Sequence, residues 1–136
     1  MAAKKKSWQD KYFSRTVPEK KILETSFAGM KPGQLMLIST PQEIDAWIRD
    51  LKPGELRTLD ELRESLANKH QAEVTCPATT SIFLRIVAEL AWEEIQAGAS
   101  PKDVTPFWRV VEPNSKLALR LSCTKEWLAE MRSTDK

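Results

Sequence analysis

Residues able to do covalent chemistry are few in this chain. Its two cysteines, Cys76 and Cys123, lie far apart, no CxxC pair is present, and there is a single histidine, His70. Zinc sites and disulfide frameworks need closely spaced ligands, so the sequence predicts no metal and no cofactor. Cys76 precedes a proline-led helix, where its thiol pKa could be lowered, but an inert buried cysteine is the simpler interpretation.

A second group of side chains has the chemistry to bind phosphate. Thr79, Thr80 and Ser81 fall in the first turn of a predicted helix, where hydroxyls and unpaired backbone N–H groups suit phosphate oxygens. The same residues could simply cap and start the helix, and both interpretations stand. Further phosphate contacts could come from the N-terminal lysines and from four cations: Arg85, Arg109, Lys116 and Arg120.

An aromatic pair, Phe107 and Trp108, stands between a proline and an arginine in the stretch VTPFWRVV, residues 104–111. Two exposed rings could form a base pocket, since stacking on a nucleobase is worth about 1–3 kcal/mol per base. The alternative is that the rings fill the core, to which aromatic side chains are major contributors. The sequence leaves both interpretations open.

Periodicity and capping residues predict the elements that must position these side chains. A strand is predicted over residues 34–39. Helices are predicted over residues 41–51, 58–69, 77–97 and 124–132. Two β-rich runs, PFWRVV and KLALRL, are separated by a turn-forming EPNS and predict a hairpin over residues 106–121. The predicted fold is therefore mainly α with a small β-hairpin, in the order of a winged helix-turn-helix domain.

The N-terminal segment differs from the rest in charge. Residues 1–21 carry seven Lys or Arg against two acidic residues, so this segment is +5 and the remainder of the chain is −3. We therefore divide the chain into a basic, partly extended arm over residues 1–33 and a domain over residues 34–136. The arm could bind a polyanion or be a solvated, partly disordered terminus. No apolar signal or membrane-spanning run is found, so a cytoplasmic protein is expected.

Three motifs, in order, resemble a known family. They are LKPGELRTLDELRESLA, CPATTSIFLRIVAE and VTPFWRVVEPNSKL. The chain, over roughly residues 41–131, resembles the DNA-binding domain of the O6-alkylguanine-DNA alkyltransferases and, more closely, the non-catalytic alkyltransferase-like proteins. The resemblance implies a winged helix that binds DNA and senses damaged bases.

The same resemblance implies that the chain is not an enzyme. The family's Pro-Cys-His-Arg-Val motif carries the cysteine that accepts the alkyl group, and a neighbouring histidine helps to form its thiolate. Here Phe107 and Trp108 stand at the positions of that cysteine and histidine. Neither side chain can act as nucleophile or general base near neutral pH.

Two functions from different classes therefore remain. In the first, the chain binds double-stranded DNA through the start of the 77–97 helix, the predicted wing and the basic arm. In the second, it is a protein-interaction or structural module on a winged-helix scaffold. The basic arm favours DNA. The helix over residues 78–97, with one arginine against three glutamates, favours a protein partner unless only its first turn approaches DNA.

Overall fold

The structure, a computed structural model, describes residues 6–136. Lys4 and Lys5 of the basic arm lie outside the described residues. Within the described range there are six α-helices: α1 (Trp8–Tyr12), α2 (Pro41–Arg49), α3 (Leu59–Lys69), α4 (Pro77–Gln96), α5 (Lys116–Arg120) and α6 (Lys125–Thr134). Three strands complete them: β1 (Glu19–Ile22), β2 (Leu35–Ile38) and β3 (Val74–Thr75). The prediction of a mainly helical fold with a small β component is confirmed.

Threonine caps set the starts of three helices. The side chains of Thr40, Thr58 and Thr124 each accept a hydrogen bond from the backbone N–H three residues later, at the first turns of α2, α3 and α6. Such caps satisfy donors that have no partner inside the helix. The longest helix, α4, begins instead at Pro77, whose missing N–H costs nothing in a first turn. All four predicted helices are present, with ends that differ by a few residues.

The sheet joins the N-terminal segment to the rest of the fold. Strand β1 pairs antiparallel with β2, with Lys20 opposite Leu37, and β2 pairs parallel with β3, with Met36 opposite Val74. Strand β2 is the predicted strand. Strand β1 and the short helix α1 lie inside the predicted arm, where we expected no helix. From Trp8 onward, the arm therefore contributes elements to the same fold.

The hairpin predicted over residues 106–121 is wrong. Phe107–Arg109 form a 3-10 turn, in which the N–H of Val110 bonds back to the carbonyl of Phe107. Ser115 then accepts a hydrogen bond from the N–H of Ala118 and starts α5 where the second strand was expected. The β propensity of the two runs is overridden because Pro106 lacks a donor and Ser115 is a good helix cap. The antiparallel pair in the described residues is β1–β2.

The core lies around α4. The helix packs against α2 and α1 and against the 3-10 turn at Phe107–Arg109. Its buried side chains, Leu84 and Val87 among them, share one core cluster with apolar residues from α2, α3 and α6, namely Ile44, Ile48, Leu62, Leu66 and Leu128. None of the helices formed by residues 6–136 has the length and apolar character needed to cross a membrane. The first turns of α4 also line a surface groove, and the candidate site lies there.

Candidate nucleic-acid interface

A groove of about 610 Å³, named here the basic groove, opens where α1, the start of α4 and α5 meet. Its floor is largely apolar and includes Phe83, Ile86 and Leu117. Ile82, an exposed apolar side chain of α4, also lines it and is 55% exposed. Five cations surround this floor: Lys6, Lys11, Arg85, Lys116 and Arg120. The groove therefore combines apolar surface with concentrated positive charge.

None of the five cations forms an ion pair with a described residue. Among the residues that the structure describes, no Asp or Glu lines the groove. The ion pairs found within the described range involve other cations: Arg15, Arg49, Arg57, Arg63, Lys69, His70 and Arg109. Five like charges on one surface repel each other, and a bound polyanion would relieve that repulsion.

Helix α1 forms one wall of the groove. Its start is fixed by a capping box, in which Ser7 and Asp10 exchange hydrogen bonds between side chain and backbone. The indole of Trp8 lies against two cations, with Lys11 Nζ at 4.2 Å and Arg85 Cζ at 5.3 Å from its centroid. The contact with Arg85 joins this wall to α4, and the contact with Lys11 lies within α1. The Nε of Arg85 is buried and has no hydrogen-bond partner among the described residues.

The acidic residues of α4 lie away from the groove. Glu89 is buried and accepts hydrogen bonds from the backbone N–H and hydroxyl of Ser122, at 2.9 and 2.7 Å. Glu93 and Glu94 are exposed near the C-terminal end of the helix. Only the first turns of α4 line the groove, so the net negative charge of the helix does not oppose an anionic ligand there.

Of the predicted phosphate-binding residues, the structure brings Ser81, Arg85 and Lys116 together at the basic groove. Thr79 and Thr80 do not line it. Thr80 is fully buried, and its hydroxyl donates to the carbonyl of Cys76 at 2.6 Å. Thr79 is half-buried, with its hydroxyl 3.5 Å from the same carbonyl. For Thr80, the structure therefore agrees with the alternative interpretation, in which the threonine stabilises the start of the helix.

Arg109, a predicted DNA contact, lies inside the protein. Its guanidinium binds both carboxylate oxygens of Asp135, at 2.6 and 2.9 Å, and donates to the carbonyl of Leu51 at 2.7 Å. The hydrogen bond from Arg109 is the main cause that lowers the pKa of Asp135 below its usual range. With its donors engaged, Arg109 ties the C-terminal segment to the end of α2 and does not reach the groove.

Phe107 and Trp108 belong to an aromatic cluster, defined here as Trp92, Phe107, Trp108 and Trp127. Phe107 is 0% exposed and Trp108 is 2% exposed. Phe107 stacks on Trp127 with centroids 5.7 Å apart, and Trp92 and Trp108 meet Trp127 edge-on. The pair therefore fills the core, as the packing alternative describes, and does not present a ring face at a base pocket. Trp108 is one of the residues that line a second cavity, of about 540 Å³.

The two cysteines are both buried and unbonded to each other. Burial, with the nearby charge of Glu89, raises the pKa of the Cys123 thiol to about 11. At neutral pH that thiol is protonated and is a weak nucleophile. Within residues 6–136 the structure has no cluster of three or more His, Cys, Asp or Glu side chains arranged to hold a metal ion.

Several groove residues were not among the predicted site residues. Lys6, Lys11 and Arg120 were recognised only as sources of charge, and Trp8 and Ile82 were missed. The capping pattern Ser7-x-x-Asp10 was a sequence signal for α1, and Trp8 and Tyr12 then share one face of that helix. The approach of α1 to α4 and α5 depends on tertiary contacts that no local pattern encodes.

No protein-family model, curated protein or solved structure matches the chain. The functional argument therefore rests on the geometry and charge of the basic groove.

Proposed function

We propose that this chain is a non-enzymatic DNA-binding protein that holds the phosphate backbone of double-stranded DNA in its basic groove. One observation carries the proposal: five cations converge on one concave surface without a carboxylate among the described lining residues. Lys and Arg that neutralise phosphates release condensed counterions, which supplies most of the free energy of non-specific DNA binding. Ser81 adds a hydroxyl donor of the kind that positions phosphates.

The arrangement of the groove supports DNA over a scattered basic surface. The cations come from three separate elements, α1, α4 and α5, so their spacing is held by the fold. A chain with a net charge of only +2 concentrates five positive charges at this one place. Charge focused in a cleft attracts an anionic ligand more strongly than the same charge spread over a surface.

The proposal includes two further parts: that the domain is a winged helix, and that its function is similar to that of the non-catalytic alkyltransferase-like proteins. In this proposal, α3 and α4 are the helix pair, and the first turns of α4 approach DNA together with α1 and α5. Recognition of an alkylated base remains a prediction of the sequence resemblance. The buried positions of Phe107 and Trp108 do not support a role for these rings in it. The absence of an acceptor thiol in the PFWRV motif supports binding without alkyl transfer.

A protein partner is the second candidate function, and a different surface favours it. Four large apolar side chains between residues 13 and 27 are exposed, namely Phe13, Val17, Ile22 and Phe27. They lie around β1, whose four residues are all exposed. Exposed apolar patches next to a strand edge are typical of protein-interaction surfaces. None of these four side chains lines the basic groove, so substitutions can test the two functions separately.

A salt titration tests the proposed function. Fluorescence anisotropy with a labelled 20-base-pair duplex should show binding at low salt that weakens steeply as salt rises. The logarithm of the association constant should fall linearly with the logarithm of salt concentration, with a slope of about 0.9 per phosphate contact. Absence of binding at low salt would exclude DNA as the ligand.

A matched duplex containing one O6-methylguanine tests the damage-sensing part of the proposal. Tighter binding to the modified duplex at the same salt concentration supports recognition of the alkylated base. Equal affinity restricts the function to backbone binding. In both cases the mass of the recovered protein should be unchanged, because no methyl group is transferred.

A further inference from the structure

Helix α1 is too short to be stable alone, and it forms a wall of the basic groove only through its contacts with α4 and the core. It is five residues long, and none of its residues is buried. Isolated helices of this length are not stable in water. Yet Lys6 and Lys11, which α1 and its flank contribute, are two of the five groove cations. Besides its packing on α4, helix α1 is held by a contact that lies outside the groove.

That contact is made by Tyr12. Its hydroxyl donates to Oδ2 of Asp45 on α2, at 2.7 Å, and its carbonyl accepts a hydrogen bond from Gln42 Nε2, at 2.6 Å. Burial and the neighbouring carboxylate raise the pKa of Tyr12, so the phenol stays protonated and donates. Trp8 lies one turn before Tyr12, so the two rings anchor the same face of α1.

Asp45 is a rigid acceptor for this hydrogen bond. It is buried, and its Oδ1 accepts from the hydroxyl of Thr105 at 2.6 Å and from Arg49 Nε at 2.8 Å. A buried carboxylate with several donors has a fixed orientation, because any rotation would leave a donor without a partner. Tyr12 therefore ties α1 to the interior of the fold at a point that does not line the groove.

We propose that Tyr12 is a positioning residue for the ligand: by its hydrogen bond to Asp45 it holds Lys6 and Lys11 against the groove, so that both contact the bound phosphate backbone. The inference rests on the proposed function and extends it to a residue that touches no ligand. According to this inference, Lys6 and Lys11 each make a phosphate contact, and both contacts depend on the hydroxyl of Tyr12.

The test compares Tyr12→Phe with the full-length wild-type chain in the same anisotropy assay. Phenylalanine keeps the ring and removes the hydroxyl. We expect affinity for the unmodified duplex at low salt to fall about five-fold. We also expect the salt slope to fall toward that of Lys6→Gln/Lys11→Gln, since each lost phosphate contact removes about 0.9 from it. The triple variant should bind no more weakly than the double lysine variant, because the three residues act through one wall.

Ser65→Ala is the matched control. It removes the hydroxyl that accepts a hydrogen bond from Trp47 Nε1 on α2, at 2.9 Å, and it touches neither α1, Asp45 nor the groove. Its thermal stability should fall while its DNA affinity and salt slope stay at wild-type values. A Tyr12→Phe variant that binds like wild type overturns the inference and leaves the proposed function intact. Additive effects of Tyr12→Phe and the lysine changes also overturn it. A wild-type chain that binds no DNA overturns the proposed function itself.

Discussion

The basic groove and the aromatic cluster differ in how their charged groups are paired. In the groove, five cations lie together without an ion pair in the described part of the chain. In the cluster, the rings pack on each other, and the adjoining Arg109 is bound by Asp135 and a carbonyl. The sequence had marked both regions as candidate ligand sites.

That difference separates residues that stabilise the fold from residues that can bind a ligand. Side chains whose interactions are completed within the protein contribute to stability, as Phe107 and Arg109 do. Side chains at a concave surface that have no ion-pair or hydrogen-bond partner among residues 6–136 are available to a ligand, as Arg85 and Lys116 are. Substitutions in the cluster should therefore change the free energy of unfolding, and substitutions in the groove should change DNA affinity.

The largest expected effect is at the centre of the cluster. Phe107→Ala should lower the free energy of unfolding by about 3–5 kcal/mol, because it leaves a cavity beneath Trp127. Urea unfolding followed by circular dichroism measures this loss. If the variant instead kept its stability and lost DNA binding, the ring would act on a ligand and the comparison would fail.

A smaller effect is expected from Asp135→Asn. The change leaves the buried guanidinium of Arg109 without its counter-charge and should cost about 3 kcal/mol of unfolding free energy at neutral pH. Because Arg109 lowers the folded-state pKa of Asp135, the unfolded chain takes up the proton first as pH falls. The stabilisation is therefore complete above the usual aspartate pKa of about 3.9 and is lost as pH falls through the lower folded-state pKa.

Urea titrations between neutral and acidic pH check this sign. Wild-type stability should converge on that of Asp135→Asn as the solution becomes acidic. If the difference between the two proteins were constant with pH, the carboxylate charge would not stabilise the fold. DNA affinity at neutral pH should be unchanged wherever the variant is folded, since Asp135 lies outside the groove.

The smallest free-energy change is expected at the groove. Lys116→Gln/Arg120→Gln should weaken duplex binding at low salt about ten-fold and lower the salt slope by about 1.8, for two lost phosphate contacts. Stability should change little because both side chains are exposed. Lys52→Gln/Lys125→Gln removes the same charge from exposed positions outside the groove and should leave the salt slope unchanged. Equal losses in both double variants would mean that net charge alone governs binding.

Most of the helical architecture could be predicted from local signals. Thr40 and Thr58, each followed three residues later by Glu, marked the starts of α2 and α3, and apolar periodicity marked their buried faces. The hairpin over residues 106–121 was predicted from β-branched and aromatic residues. These residues sit in a 3-10 turn and a short helix, because burial of Phe107 and capping by Ser115 decide the backbone there.

The candidate site was only partly predictable. Ser81, Arg85 and Lys116 were identified from residue type, and they do meet at the groove. Arg109 has the same chemistry but is buried against Asp135, a residue 26 positions away that no spacing rule connects to it. Residue type indicates what a side chain can bind. Whether the protein itself already occupies that side chain depends on tertiary packing.

The lengths of the helices around the groove have a consequence for amide hydrogen exchange. Helices α1 and α5 are five residues each, whereas α4, which forms the floor, has twenty. Short helices with exposed backbone hydrogen bonds open at low free-energy cost, so their amides should exchange much faster than those in the middle of α4. A ligand that bridges all three helices would slow amide exchange in α1 and α5 together. The slower exchange would then indicate binding, even at backbone amides that the ligand does not contact.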